Sequence, residues 1–132
     1  MSALLEEASE TSDRATAKRT ELFIMINDAL TRHMRFEERH LYPALKKKRD
    51  TKDDALDAIA EHEQAKRLLR ELSRLKPDDE IWKAKITVLQ EDIRHHVKEE
   101  ERWGGLFDDL AKEFDKNELV LLGERYQALA PA

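Results

Sequence analysis

Along this chain, apolar positions recur in alternating steps of three and four over three long stretches. The clearest runs Trp82, Ile86, Leu89, Ile93, His96, Glu100, Trp103, Phe107. Those steps trace one face of one helix, apolar except for a single His and a single Glu. A second stretch repeats the pattern with Phe23, Ile26, Leu30, His33, Glu37, Leu41 and Ala44. A third reads Ala55, Ile59, His62, Ala65, Leu69, Leu72. No period-two alternation lasts long enough to argue for a strand, and no fixed-period repeat is present.

The pattern predicts long helices near 13–41, 51–75 and 79–103. A short helix from Met1 to Glu10, with Leu4, Leu5 and Ala8 on one side, precedes them. The cap-type residues Thr11, Ser12 and Asp13 mark the first break. Pro43 lies near the end of the second helix, and Thr51 to Asp54 supply the next start. Lys76-Pro77 ends the third helix, Asp78 and Asp79 cap the fourth, and Gly104-Gly105 interrupts it. Helix resumes from Leu106 to Phe114. Asp115 to Asn117 restarts a last short helix ending near Leu129, with Leu119, Leu122 and Tyr126 available for packing. Connections of roughly ten residues or fewer favour antiparallel neighbours. The expected fold is all-α, an up-down antiparallel four-helix bundle with a short first helix and a short C-terminal helix. Residues 1–132 are expected to form one domain.

Composition narrows the function. Charged residues make up 40% of the chain, with only three Gly and three Pro, as long solvated helices require. Twenty-four basic and 29 acidic residues leave a formal charge of −5, which argues against a nucleic-acid partner. With no Cys, thiolate zinc sites, iron–sulfur clusters and disulfides are excluded. No apolar run approaches a membrane span and no signal-peptide pattern opens the chain, so the expected location is the cytoplasm. The basic run Lys46, Lys47, Lys48, Arg49 reads as a solvated terminus favouring a helix C-terminal dipole.

The chemistry lies in the polar positions of the apolar faces. A carboxylate in an apolar seam is costly unless it is paired, protonated or bound to metal. Residues four apart on a helix sit one above the other, Cβ atoms about 5–6 Å apart. His33 with Glu37, and His96 with Glu100, can therefore address one cation or two adjacent ones, and His62 supplies a third helix. Imidazole with carboxylate suits iron, manganese or zinc. Glu38, Glu99 and Glu101 fall off the seam, facing solvent or accepting from a ligand imidazole. His95 is about 100° round the helix from His96. His40 completes Glu37-x-x-His40, the spacing of ferritin-like di-iron bundles, but no second copy of that motif exists in the chain. Met25 and Met34 read as packing. Trp82, Trp103, Phe23 and Phe107 read as core, with Trp103 and Phe107 close enough to wall the site.

The sequence His33-x-x-x-Glu37-Glu38, then Leu41-Tyr42-Pro43, then Glu61-His62, then His96-Val97-Lys98-Glu99-Glu100 resembles the hemerythrin-like HHE cation-binding domain over nearly the whole chain. The resemblance implies an up-down four-helix bundle with a non-haem, oxo- or hydroxo-bridged di-iron centre. It implies His33, Glu37, His62, His96 and Glu100 as ligands, with Glu37 and Glu100 bridging. The chain departs from the family pattern at three places. The family's first-helix His falls before Met1, so the first helix reads as shortened. Lys66 stands where many members carry a further His or Glu. Trp103-Gly104-Gly105 replaces a Phe-Pro pattern. The expectation is one ion held firmly by His62 and His96 with Glu37 and Glu100, and a second held weakly at His33.

The function expected from the resemblance is binding or sensing of dioxygen or another small diatomic or peroxide ligand, or iron handling. The alternatives are a metal-depleted bundle acting as an interaction module and a peroxidase- or oxidase-like di-iron enzyme. The short first segment leaves part of the seam open, and a homodimer is the expected consequence.

Overall fold

The computed structural model describes residues 2–101 and 106–128, with side chains described for all of these except 106–108, 113, 122, 123 and 125–128. The expected break at Gly104-Gly105, and the roles given to Trp103, Phe107, Leu122, Tyr126 and Leu129, lie outside these described residues. The described backbone forms the helices α1 (Ser2–Ser9), α2 (Thr16–His40), α3 (Tyr42–Lys46), α4 (Arg49–Arg74), α5 (Trp82–Glu101), α6 (Leu106–Glu113) and α7 (Lys116–Ala128). No strand occurs among the described residues. The architecture is an all-α bundle.

The three long walls fall where the apolar periodicity places them, within three residues at each described end. Their starts are made differently from the cap reading. Helix α2 begins after Ala15 with no side-chain cap. Thr11 instead closes α1, its hydroxyl donating to the Ala8 carbonyl at 2.7 Å. Thr51 is not a cap either. It is buried inside α4, donating to the Leu45 carbonyl at 2.5 Å and pinning α3 to the start of α4. Asp79 does act at the start of α5, accepting from the Ile81 amide at 3.0 Å. At the start of α7 the Asp115 amide donates to the Glu118 carboxylate at 3.2 Å and the Glu118 amide donates to the Asp115 carboxylate at 2.8 Å, a reciprocal capping box.

Two apolar clusters fill the bundle. The larger joins Leu5 and Ala8 of α1 with Leu22, Ile26, Leu30 and Met34 of α2, Ala65, Leu69 and Leu72 of α4, and Trp82, Ile86 and Leu89 of α5. Arg19 stitches this end together. It is only 2% exposed, donates to the Thr11 hydroxyl, the Thr11 carbonyl and the Pro77 carbonyl at 2.9, 3.0 and 2.7 Å, and lies 4.5 Å over the Trp82 ring. The smaller cluster packs Phe36, Leu41, Tyr42 and Leu45 against Ala55 and Ala58, with Leu110 of α6 partly buried on it. Helix α1 packs on α2 and α5. At eight residues it spans about 12 Å at 1.5 Å per residue, so it covers only a fraction of the walls. Beyond it, where the two clusters meet, the His and Glu side chains gather.

Candidate metal centre

Each helix delivers its polar seam residues to one layer. Glu37 from α2, His62 from α4 and His96 from α5 each place a potential ligand atom so that all three lie within 4.8 Å of one another. Two ligand atoms on opposite sides of one ion, at about 2.1 Å each, would be about 4.2 Å apart. A small contraction would therefore bring this trio onto a single cation. Glu100 adjoins it: its Oε1 lies 2.7 Å from His96 Nε2, and its carboxyl is close enough to Glu37 to raise its pKa. His33 lies one turn before Glu37, half-buried in the wall of the same cavity, and is not one of the trio. His95 is exposed at the cavity edge, and exposed His40 packs at a tilt against Phe36 with ring centroids 4.9 Å apart.

Three buried polar atoms in this layer make no aligned hydrogen bond: His62 Nδ1, His96 Nε2 and Glu100 Oε1. His96 Nε2 and Glu100 Oε1 meet each other in a 2.7 Å ion-pair contact. Buried polar groups are normally satisfied, so this cluster of unsatisfied ligand-type atoms fits a cation. The other nitrogen of His96 is already committed. Its Nδ1 lies 2.5 Å from Glu61 Oε2, an arrangement in which Nδ1–H donates to the carboxylate and Nε2 is left as the ligand atom. Glu38 plays a looser part opposite His62, its Oε2 3.9 Å from His62 Nδ1. Lys66 is 2.6 Å from the other Glu38 oxygen. One turn after His62, this chain therefore holds an ammonium that balances a neighbouring carboxylate.

Tyr42, on the connector helix α3, completes the layer. Its hydroxyl donates to Glu37 Oε2 at 2.6 Å and lies 3.0 Å from His62 Nε2. Burial, reinforced by the Glu37 charge, raises the Tyr42 pKa, so it remains a neutral phenol. Burial and the Glu100 charge push the Glu37 carboxyl up to about 8, against the Tyr42 hydrogen bond and the His96 charge. Burial, with the charges of His96 and Lys66, drives His62 down to about 3. Burial also lowers His33, with the Glu100 charge opposing. For His96, burial pulls downward, but the adjoining Glu100 carboxylate, the Glu61 hydrogen bond and the Glu37 charge outweigh it and raise the imidazole to about 9.

Reasoning from helix faces singled out Glu37, His62, His96 and Glu100, which the structure brings together, and His33, which lines the wall beside them. It gave Glu61 and Tyr42 no role beyond their place in the family-like motif. The Glu61-His62 dipeptide and Leu41-Tyr42-Pro43 were the available signals.

A helical bundle with a buried His and Glu layer of this kind defines a cation-binding bundle. The chain belongs to the hemerythrin HHE cation-binding domain family, whose model matches residues 1–103. No curated protein and no solved structure matches the chain significantly. No described helix is long and apolar enough to cross a membrane.

Proposed function

We propose that this protein is a non-haem iron protein that binds or senses dioxygen or another small diatomic or peroxide ligand, or handles iron. The convergence of ligand atoms from Glu37, His62 and His96 within 4.8 Å of one another, with the buried His62 Nδ1 unsatisfied, is the observation that carries the reading. Glu37, His62 and His96, with Glu100 adjoining, would hold one ion firmly, and His33 offers a weaker second position sharing the two carboxylates. Glu61 and Tyr42 fix the orientation of His96 and Glu37. Iron bound there would supply a Lewis acid able to change oxidation state. Iron is favoured over zinc or manganese by the family resemblance, not by the donor set, which suits all three.

Metal analysis of protein purified without chelator, followed by titration of the metal-free form with Fe(II), tests the reading. One tight equivalent, a weaker second and a visible charge-transfer band on exposure to air are expected. No iron uptake, or two equally tight equivalents, would contradict it. A homodimer is part of the same proposal. Ile24 and Met25 project from α2 at 62% and 45% exposure, outside the cavity beside the centre, and pairing there would cover them. Sedimentation that is monomeric at every concentration would refute the dimer.

A further inference from the structure

The cavity beside the histidines is larger than an ion and diatomic ligands need. Its volume is about 390 Å³, inside the ~300–1,000 Å³ of small-molecule sites, whereas a water's share of the liquid is only about 30 Å³. Its lining carries two chemistries. His33, Glu37, His62, His96 and Glu100 supply the polar part. Leu30, Met34, Ala65 and Ile93 also line it. Leu30, Met34 and Ile93 each sit three residues before a polar member of the layer, and Ala65 three residues after His62. That register stacks an apolar layer one turn from the polar one. At the rim, exposed Gln64 donates to Asp92 at 2.9 Å, tying α4 to α5.

Size and charge select the occupant. A helix is about 10–12 Å across with its side chains, so even two turns would need on the order of 1,000 Å³. A helical segment of a second chain therefore does not fit, and a small molecule does. Glu37, Glu61, Asp92 and Glu100 all line the space, which disfavours an anionic head. We propose that the cavity binds a small aliphatic molecule with an uncharged hydroxyl-type head, an alcohol or an alkyl hydroperoxide. The head lies toward the His and Glu layer, and the chain lies against Leu30, Met34, Ala65 and Ile93. The place of the head rests on the metal reading of the centre. The place of the chain does not.

The test is a titration with straight-chain alcohols from methanol to octanol, into metal-free and zinc-loaded protein carrying ¹³C-methyl methionine. The Met34 methyl, inside the cavity, should shift, and the exposed Met25 methyl should not. Affinity should tighten about fourfold per added methylene, then level off once the cavity is full. Ala65→Leu should bring that limit to a shorter chain. Because added bulk can overpack a core, Gln64→Trp at the exposed rim is the companion variant, expected to weaken the long alcohols alone. Both variants should leave zinc stoichiometry unchanged. Equal shifts at Met25 and Met34, tightening with no limit, or affinity that falls as protein concentration rises would each overturn the proposal. The last result would mean that a second copy fills the space. Zinc binding with a silent Met34 would defeat this proposal and leave the metal centre standing. A responsive Met34 without zinc binding would do the reverse.

Discussion

The raised pKa values of Glu37 and His96 predict that at neutral pH the metal-free layer holds two protons that an incoming cation must displace. Glu37 is pushed up to about 8 and His96 to about 9, whereas His62, driven down to about 3, is already neutral. Ligation takes the ionised carboxylate and the neutral imidazole. Each displaced proton adds one unit to the slope of log affinity against pH, so two protons give about a hundredfold per pH unit below pH ~7.5. Ordinary histidines would place this window near 6.5, and the structure moves it up to between 8 and 9. Titration calorimetry with Zn(II) at pH 7, in buffers of different protonation enthalpy, counts the protons directly. About two are expected, and ionisation of a zinc-bound water would only add to them. Glu37→Gln keeps a neutral hydrogen-bonding side chain and should lower the count to about one, with weaker binding. A wild-type count below one, or affinity that is flat from pH 6 to 8, would refute the reasoning. The same shifts set the stability of the metal-free fold. Both folded pKa values are raised, so their stabilisation is fully present below the unfolded pKa. It is lost as pH climbs from 4.5 through about 8 for Glu37, and from 6.5 through about 9 for His96. His62 has the opposite sign, losing its contribution as pH falls from 6.5 to about 3. Metal-free protein should therefore melt at a lower temperature at pH 9 than at pH 6.5, and zinc should reverse the loss.

Tyr42→Phe removes a hydrogen bond that lowers the Glu37 pKa. It should weaken zinc binding at pH 7 and destabilise the metal-free fold by about 1–2 kcal/mol, read by titration and by denaturant unfolding. Glu61→Gln should cost about 10–100-fold in metal affinity by loosening the His96 tautomer, and, because the Glu61 hydrogen bond helps to raise His96, it should also lower the stability of the metal-free form near neutral pH. Arg19→Ala strips three hydrogen bonds and the Trp82 stack from the far end of the bundle. A loss of about 3 kcal/mol in urea unfolding is expected, with zinc affinity unchanged. A change in affinity would show that the two ends are coupled.

Helix existence and the inward faces were legible because a 3.6-residue period with a few polar interruptions admits few other readings. His62 and His96 stood out as imidazoles on otherwise apolar stripes. Glu61 did not, because it sits about 100° from His62 round the same helix, so a face-by-face reading assigns it to solvent. It reaches His96 only because α4 and α5 pack side by side, a relation that sequence periodicity does not carry. Tyr42 escaped notice for a different reason. It belongs to a five-residue helix, too short to show a period, and its contacts with Glu37 and His62 depend on how the chain turns between two walls. The start signals misled where a Thr hydroxyl had a tertiary partner. Thr11 serves the end of α1 and Arg19, and Thr51 serves Leu45, so neither was free to cap the helix that followed it.

The connector between α2 and α4 deserves a different status from an ordinary loop. Surface connections usually tolerate insertions because nothing inside the molecule reads their length. Here Tyr42 touches two residues of the cation layer, and a few residues later Leu45 is tied by its carbonyl to Thr51. The segment acts as a gauge between the end of one wall and the start of the next. One residue added among the exposed lysines Lys46 to Lys48 would stretch the span that the Leu45–Thr51 hydrogen bond closes, but would leave the spacing from Glu37 to Tyr42 unchanged. The same residue added between Glu37 and Tyr42 would swing the phenol off its two partners. For anyone splicing a sensor or a tag into this bundle, a difference of a few positions separates a graft that loosens the connector from one that retunes the centre.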